Sequence, residues 1–430
     1  MAMLSSMAWV NRIFMLRGLP ILRDIPGLNR LPPFRGLANV RHIDLPAADE
    51  QRLAALVGRG KAVFFAPNHP EFFTDWMIDK EILWRVAPWA ASWATSTVVN
   101  GLGAVAQKFW LANNLIAQIP GNSEPAKQHS VGWAGEGHGV LLHPEGGVGW
   151  HSDFVAPLMS GAFEMGLEAL ERGRRNDPRF EVWIAPIVWK LHFLHDVEAA
   201  LKRECDYVER RLKLAVQKNE SLPGRVLSIY SALLSLDEEK LGMKAHMGAS
   251  YPVRLRAVVK EVSRRLRSIV SSVDSGRSDA GKGNLQRHAR RWLRENKAND
   301  PAKAKTVKSL TDQLARLMRV GDFAFDERDI TQEQIAEHIK RIRTDYCKGT
   351  LRDTLGAMVP QSATARRAVI RVPEPIGLHS VEGSPEAVLA LLRSRMQAAL
   401  DEINAELRAQ GAFRTYPNPF FDSFADSLAA

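Results

Sequence analysis

The chain has only two cysteines among its 430 residues, Cys205 and Cys347. Two thiols cannot form the set of disulfides on which small secreted domains depend, and they cannot supply a four-cysteine zinc site. The sequence therefore favours a reducing compartment, and we expect a cytoplasmic protein.

Long hydrophobic runs are also missing. No uninterrupted apolar stretch approaches the roughly 20 residues that a spanning helix needs. The opening segment has no small-residue cleavage site after its apolar part, so we expect neither a membrane-spanning nor a secreted chain. The apolar residues of segment 3–16, with Arg12 and Arg17, leave two interpretations open. This segment is either a helix on a membrane surface or an ordinary helix packed on the globular body.

Negative charge is in deficit, because 48 Asp and Glu residues oppose 58 Lys and Arg residues and leave a net charge of +10. This balance favours anionic partners such as a phospholipid surface, nucleic acid or an acyl-carrier cofactor. The arginine-rich segments near residues 264 and 290 are most simply a solvated face. No motif with interleaved aromatic residues indicates nucleic-acid binding, so we expect an anionic membrane surface as partner and no nucleic acid.

The hydrophobic content of 45% is sufficient for a large core. Between residues 60 and 190, short apolar runs alternate with helical patterns. This alternation predicts an α/β fold with a central, mostly parallel sheet flanked by helices. The predicted strands are 62–66, 115–119, 140–143 and 182–188, and the predicted helices include 76–85 and 162–171.

Beyond His195 the pattern changes to long charged helices, such as 253–270, with exposed loops expected at 271–284 and 296–305. A strand at 368–372 and a helix at 387–407 then resume the earlier character, and the turn before this helix offers Ser384 as its N-cap. We therefore expect an α/β domain formed by 1–195 and 366–412. A basic helical insertion at 196–365 interrupts it, and 413–430 forms a C-terminal extension.

Two motifs follow predicted strands. The first runs from Asn68 and His69 to Asp75, directly after strand 62–66, and the second reads His143-Pro144-Glu145-Gly146-Gly147. A histidine whose tautomer is fixed by a carboxylate can act as a general base. His69 and Asp75 could form such a dyad, which deprotonates an alcohol as it attacks an acyl thioester. This chemistry needs no serine or cysteine nucleophile, and the chain has no Gly-x-Ser-x-Gly motif.

Together these motifs resemble the glycerolipid acyltransferase superfamily, which includes lysophosphatidate and glycerol-3-phosphate acyltransferases. Segments 183–188 and 371–376 resemble the family's fourth block and closing strand. The resemblance implies catalysis by His69 and Asp75 and substrate binding by a second group of residues. This second group is Asn68, Glu145, Gly146 and Gly147.

The resemblance also implies an O-acyltransferase of phospholipid biosynthesis, peripheral on the inner face of the membrane. The donor would be acyl-CoA or an acyl-carrier protein, and the acceptor a lysolipid or another hydroxyl compound. No tightly bound cofactor and no metal are expected.

The sequence departs from the family pattern in three places. Five residues separate His69 from Asp75, whereas the family has four, so either the turn is one residue longer or Glu71 replaces the aspartate. Segment 117–121 contains no basic residue where the family has an arginine for the acceptor phosphate. Gly147 and Ser160 stand where threonine and lysine are usual. The acceptor is therefore uncharged or differently charged, or other cations such as Lys190 replace the missing groups.

Two other functions remain open. A metal-dependent hydrolase could use His138, His143 and His151, although no spacing typical of a metal motif is present. The carboxylates of this site would be Asp75, Glu145 and Asp153. A non-catalytic relative could bind membranes or partners through its basic helices. The tryptophans near residues 76–93 are more often core residues than an acyl pocket.

Overall fold

The structure is a computed structural model. It describes residues 13, 17–28, 39–100, 103–119, 122–149, 151–215, 220–243, 248–270, 282–296, 298–320, 327–358 and 363–421. The two interpretations of segment 3–16 concern residues that, except for Ile13, lie outside this described part. The chain divides into a first unit, residues 1–197 and 350–414, and a second unit, residues 198–349 and 415–430.

The first unit is built on an eight-stranded, mostly parallel sheet, which confirms the predicted α/β class. The strands of the chain are β1 Val40–Asp44, β2 Lys61–Pro67, β3 Ala91–Thr95, β4 Leu115–Gln118, β5 Val140–Leu141, β6 Glu181–Phe193, β7 Asp329–Thr331, β8 Arg366–Arg371, β9 Ile376–Gly377 and β10 Thr415–Pro417. Their order in the sheet is β1-β8-β6-β2-β5-β3-β4, and β9 pairs with β6. Only the β6–β8 and β6–β9 pairs are antiparallel among the described strands of this sheet.

Helices cover both faces of this sheet. Successive residues of β2 belong to different hydrophobic clusters, because side chains alternate between the two faces of a strand. Phe64 lies in one cluster, and its neighbours Val63 and Phe65 lie in the other. The helices of the first unit are α1 Leu19–Asp24, α2 Ala47–Ala54, α3 Thr74–Val86, α4 Ser96–Asn100, α5 Gly103–Ala112, α6 Glu124–Gly135, α7 Gly161–Arg174, α14 Leu351–Met358 and α15 Pro385–Ala409.

The second unit is mainly helical. Its helix α13 begins with the predicted capping box, in which the side chain of Thr331 and that of Gln334 each accept a backbone N–H of the other residue. The strand β10 pairs antiparallel with β7 inside this unit. The helices are α8 Glu198–Leu212, α9 Leu222–Lys240, α10 Tyr251–Val270, α11 Lys282–Asn296, α12 Pro301–Met318 and α13 Gln332–Tyr346.

Several boundaries differ from the predictions. The expected loop 296–305 is wrong over its second half, because Asp300 accepts the backbone N–H of Lys303 and starts α12 at Pro301. The expected loop 271–284 ends earlier, at the start of α11, and residues 271–281 lie outside the described part. The strand β5 is shorter than predicted, and β1 and β3 were not predicted. The helix α14 falls in the first unit, whereas the sequence placed it in the insertion.

Among the described residues, we find no helix that combines the length and the apolar character needed to cross a membrane.

Candidate active site

The turn between β2 and α3 brings His69 and Asp75 together. The distance from Nε2 of His69 to Oδ2 of Asp75 is 2.8 Å. The structure accommodates the longer turn at Phe73, which has a φ of 69° and a ψ of −44° directly before α3. A bulky residue with positive φ is strained, and such strain persists only where the surrounding structure enforces it. The additional residue therefore does not separate the pair.

Glu71, the alternative to Asp75, is engaged elsewhere. Its Oε2 accepts a hydrogen bond of 2.6 Å from Arg366, and both side chains are buried. The same guanidinium donates to the side-chain oxygen of Asn39 at 2.9 Å. Glu71 is thus part of a buried structural ion pair and does not take the place of Asp75.

The contact between His69 and Asp75 is electrostatic in character. Although the two atoms are close, neither ring nitrogen of His69 makes an aligned hydrogen bond to any residue in the described part of the chain. The other oxygen of Asp75 accepts the backbone N–H of Trp76 at 2.6 Å. This bond fixes the carboxylate in the first turn of α3. Both ring nitrogens of His69 are buried.

A second histidine, His143, stacks on His69. The ring centroids are 3.9 Å apart and the planes differ by 26°. Nδ1 of His143 is 3.0 Å from the carbonyl oxygen of Asn68, and Nε2 is 3.1 Å from Oδ2 of Asp79. A carbonyl oxygen and a carboxylate only accept hydrogen bonds, so both nitrogens of His143 carry a proton. His143 is therefore an imidazolium.

The pKa values of the two imidazoles are displaced in opposite directions. Burial alone lowers the pKa of His143, but Asp79, with help from Asp75 and the Asn68 carbonyl, outweighs burial and raises this pKa to about 9. Burial and the adjacent charge of His143 lower the pKa of His69, against the opposing effect of Asp75. Burial raises the pKa of Asp79 to about 6. These opposite shifts favour a neutral His69 beside a protonated His143 at neutral pH.

The side-chain amide of Asn68 is bonded to the backbone of β6. This amide donates to the carbonyl oxygen of Trp189 at 2.9 Å and accepts from the N–H of the same residue at 3.0 Å. These bonds join the end of β2 to the middle of β6. The sequence prediction that Asn68 binds substrate is therefore not supported by its contacts.

Glu145 is likewise occupied by the backbone. One carboxylate oxygen accepts the N–H of His69 at 2.7 Å, and the other accepts the N–H of Ala156 at 3.0 Å. Glu145 thus positions the backbone that carries His69, and its predicted contact with an acceptor stays a prediction. Gly146 and Gly147, by contrast, line the pocket described next.

His69 and Asp75 open into a pocket of about 670 Å³, a size typical of small-molecule sites. Its wall is mainly apolar and includes Trp76, Trp93 and Trp110, so these tryptophans are more than core residues. Lys190, the suggested replacement cation, is not among the described lining residues. It is 1% exposed and forms a buried ion pair with Asp153. The other apolar lining residues are Phe72, Phe73, Ala94, Val98, Leu115, Leu141, Leu142, Pro144, Val148, Met159 and Ala162.

The groups that could approach a metal ion include two of the predicted candidates, Asp75 and His143, together with His69. Ligand atoms of His69, Asp75 and His143 lie within 4.8 Å of one another. However, a ring nitrogen binds a metal in the plane of its ring, and two nearly parallel stacked rings do not aim at one point. Of the other predicted candidates, His138 lies beside Glu136 at 3.5 Å, and Glu145 and Asp153 are engaged as described above.

Comparisons of this chain with models of protein families, with curated proteins and with solved structures gave no match.

Sequence reasoning missed Asp79 and the charged state of His143. Asp79 could have been found, because it lies four residues after Asp75 on a predicted helix and therefore on the same face. The stack of His143 on His69 depends on the pairing of β2 with β5, which no local pattern shows.

Proposed function

We propose that the protein is an O-acyltransferase of the glycerolipid acyltransferase kind, acting at a membrane surface without a covalent intermediate. The observation that carries this proposal is the 2.8 Å contact of His69 with Asp75 at the wall of an apolar pocket. A histidine that lines the pocket and whose lowered pKa favours the neutral form suits the deprotonation of an alcohol, and the apolar wall suits an acyl chain.

In the proposed reaction, Nδ1 of His69 takes the proton of the acceptor hydroxyl as its oxygen attacks the carbonyl carbon of the thioester. The carbon–sulfur bond then breaks, and the departing thiolate takes the proton from His69. Asp75 stabilises the imidazolium that exists between these steps. The donor is acyl-CoA or an acyl-carrier protein, and the acyl group ends as an ester of the acceptor.

Membrane attachment is supported by the charge of three helices. Helices α10, α11 and α12 pack on one another and together carry fifteen Lys and Arg residues against three Asp and Glu residues. This excess is larger than the net charge of the whole chain, which is +10. Clustered cations of this kind bind anionic phospholipid surfaces.

The decisive experiment measures thiol release from acyl-CoA and from acyl-carrier protein with a panel of lysolipids and alcohols. His69→Ala should lower the rate about 10²–10⁴-fold, the usual contribution of a general base. His138→Ala is the matched control, because this histidine also lies beside a glutamate but outside the pocket. Retained turnover in purified, folded His69→Ala protein would reject the mechanism.

The same cluster favours a metal-dependent hydrolase as second candidate, since His69, Asp75 and His143 lie close enough to share an ion after rotation of one ring. Elemental analysis of the purified protein tests this. A stoichiometric metal would favour the hydrolase. If no acceptor promotes thioester consumption and no metal is found, the remaining alternative is a non-catalytic relative that binds membranes.

A further inference from the structure

The charged residues of the pocket wall disfavour the binding of an anionic acceptor. Lys127 is the sole lysine or arginine among the described residues that line the pocket. Its Nζ lies 2.7 Å from Oε2 of Glu164, and the other oxygen of Glu164 accepts a hydrogen bond of 2.6 Å from Ser160. The pKa of Glu164 is lowered by Lys127 and then by Ser160, so the carboxylate stays charged beside the ammonium group that it pairs with.

The complete set of ionisable lining groups is negative in sum. Two basic groups, Lys127 and the protonated His143, stand against three carboxyl groups, Asp75, Asp79 and Glu164, among the described lining residues. A phosphate monoester carries about −1.5 to −2 charges at neutral pH. It would enter a pocket whose excess charge has the same sign and whose lysine is already paired, and such repulsion selects against that ligand.

We propose that the acceptor is a neutral lipid alcohol, which brings a hydroxyl group but no phosphate group into the pocket. The polar triplet of Lys127, Glu164 and Ser160 then receives the uncharged hydroxyl or carbonyl groups of the headgroup. The apolar residues receive the chain. This inference rests on the proposed function for the transfer step, but the choice between neutral and phosphorylated ligands is a property of binding alone.

The test therefore measures binding without an acyl donor. The probes are 1-octanoylglycerol and 1-octanoylglycerol 3-phosphate below their micellar concentrations, followed through quenching of the pocket tryptophans. The measurements are made at about 0.03 M and about 0.5 M salt. The higher concentration shortens the screening length about fourfold and so weakens binding of the charged probe to the exposed basic helices. We expect the neutral probe to bind at least about tenfold more tightly to the unmodified protein, a difference of about 1.4 kcal/mol.

Glu164→Gln should release Lys127 and improve binding of the phosphorylated probe about tenfold or more, since a freed ammonium forms charge-assisted hydrogen bonds. Lys127→Met should not give this gain. The matched control is Glu168→Gln, one turn further along α7 and not among the lining residues.

Equal or tighter binding of the phosphorylated probe to the unmodified protein would overturn the inference, as would the absence of any quenching by the neutral probe. Loss of transfer activity with an intact preference for the neutral probe would instead reject only the proposed reaction. The two failures are thus distinguishable.

Discussion

The buried pair of His143 and Asp79 should make the folded protein lose stability as the pH rises from 6.5 to 9. The pKa of His143 is raised from its ordinary 6.5 to about 9, so the folded chain holds this proton more tightly than the unfolded chain does. The resulting stabilisation is fully present below pH 6.5 and disappears as the pH rises through the folded pKa. Each tenfold difference in proton affinity is worth about 1.4 kcal/mol, so the effect is about 3 kcal/mol.

The matched variant is His143→Gln with Asp79→Asn. It replaces both ionisable groups by amides that can still hydrogen-bond, so that Asp79 is not left as an unpaired buried charge. Lys80 affects the stability in the opposite direction. Burial lowers its pKa from 10.5 to about 8, so its contribution to the free energy of unfolding increases as the pH rises from about 8 to 10.5. Because Asp79 counteracts this lowering, Asp79→Asn alters the contribution of Lys80, and Lys80→Met in both proteins removes it.

The assay is urea unfolding at pH 6.5 and pH 9, followed by tryptophan fluorescence. All tryptophans except Trp292 fall within the residue ranges of the first unit, so the signal reports mainly on the unit that contains the pair. Between the two pH values, the unmodified protein should lose about 2–3 kcal/mol more unfolding free energy than the double variant. An equal loss in both proteins would refute the assignment of a charged His143.

Two further predictions concern the glycines and the basic helices. Gly146→Ala should cost about 1–2 kcal/mol in thermal unfolding, because the φ of Gly146 is +72° and an added Cβ would overlap Sδ of Met159. Gly147→Ala is the control, because its added Cβ meets open space and should leave the stability unchanged. Replacement of three exposed arginines of α11 by glutamine should weaken binding to phosphatidylserine vesicles by about 1 kcal/mol per arginine in a flotation assay. Equal weakening by three α7 substitutions would contradict a specific role of α11. The α11 residues are Arg290, Arg291 and Arg294, and the α7 segment residues are Arg172, Arg174 and Arg175.

Much of the first unit could be predicted because its signals are local. The buried run 62–66 is apolar on both faces, as strands of a covered parallel sheet are, and it forms β2 as expected. By contrast, β3 contains Ser92 and Trp93, and its position between β5 and β4 depends on pairing with distant strands. The start of helix α12 was assigned to a loop because its first turn, after Pro301, is rich in lysine and alanine without apolar periodicity.

In the candidate site, too, contacts between residues close in the chain could be predicted, and contacts between distant residues could not. The proximity of His69 and Asp75 followed from their short separation in the chain, and the structure places them in contact. The engagement of Asn68 and Glu145 could not be predicted, because their partners are 121 and 76 residues away. A polar residue beside a catalytic motif looks the same in sequence whether its hydrogen bonds go to a ligand or to a distant backbone.

The charge of the cluster explains why two carboxylates accompany two imidazoles. With His143 positive and Asp75 and Asp79 negative, the cluster holds one excess negative charge while His69 is neutral. When His69 takes a proton in the proposed reaction, the charges balance. Without Asp79, burial would lower the pKa of His143, and the adjacent charge that lowers the pKa of His69 would be lost. Asp79 therefore allows His143 to keep His69 neutral at rest without preventing its protonation during the reaction.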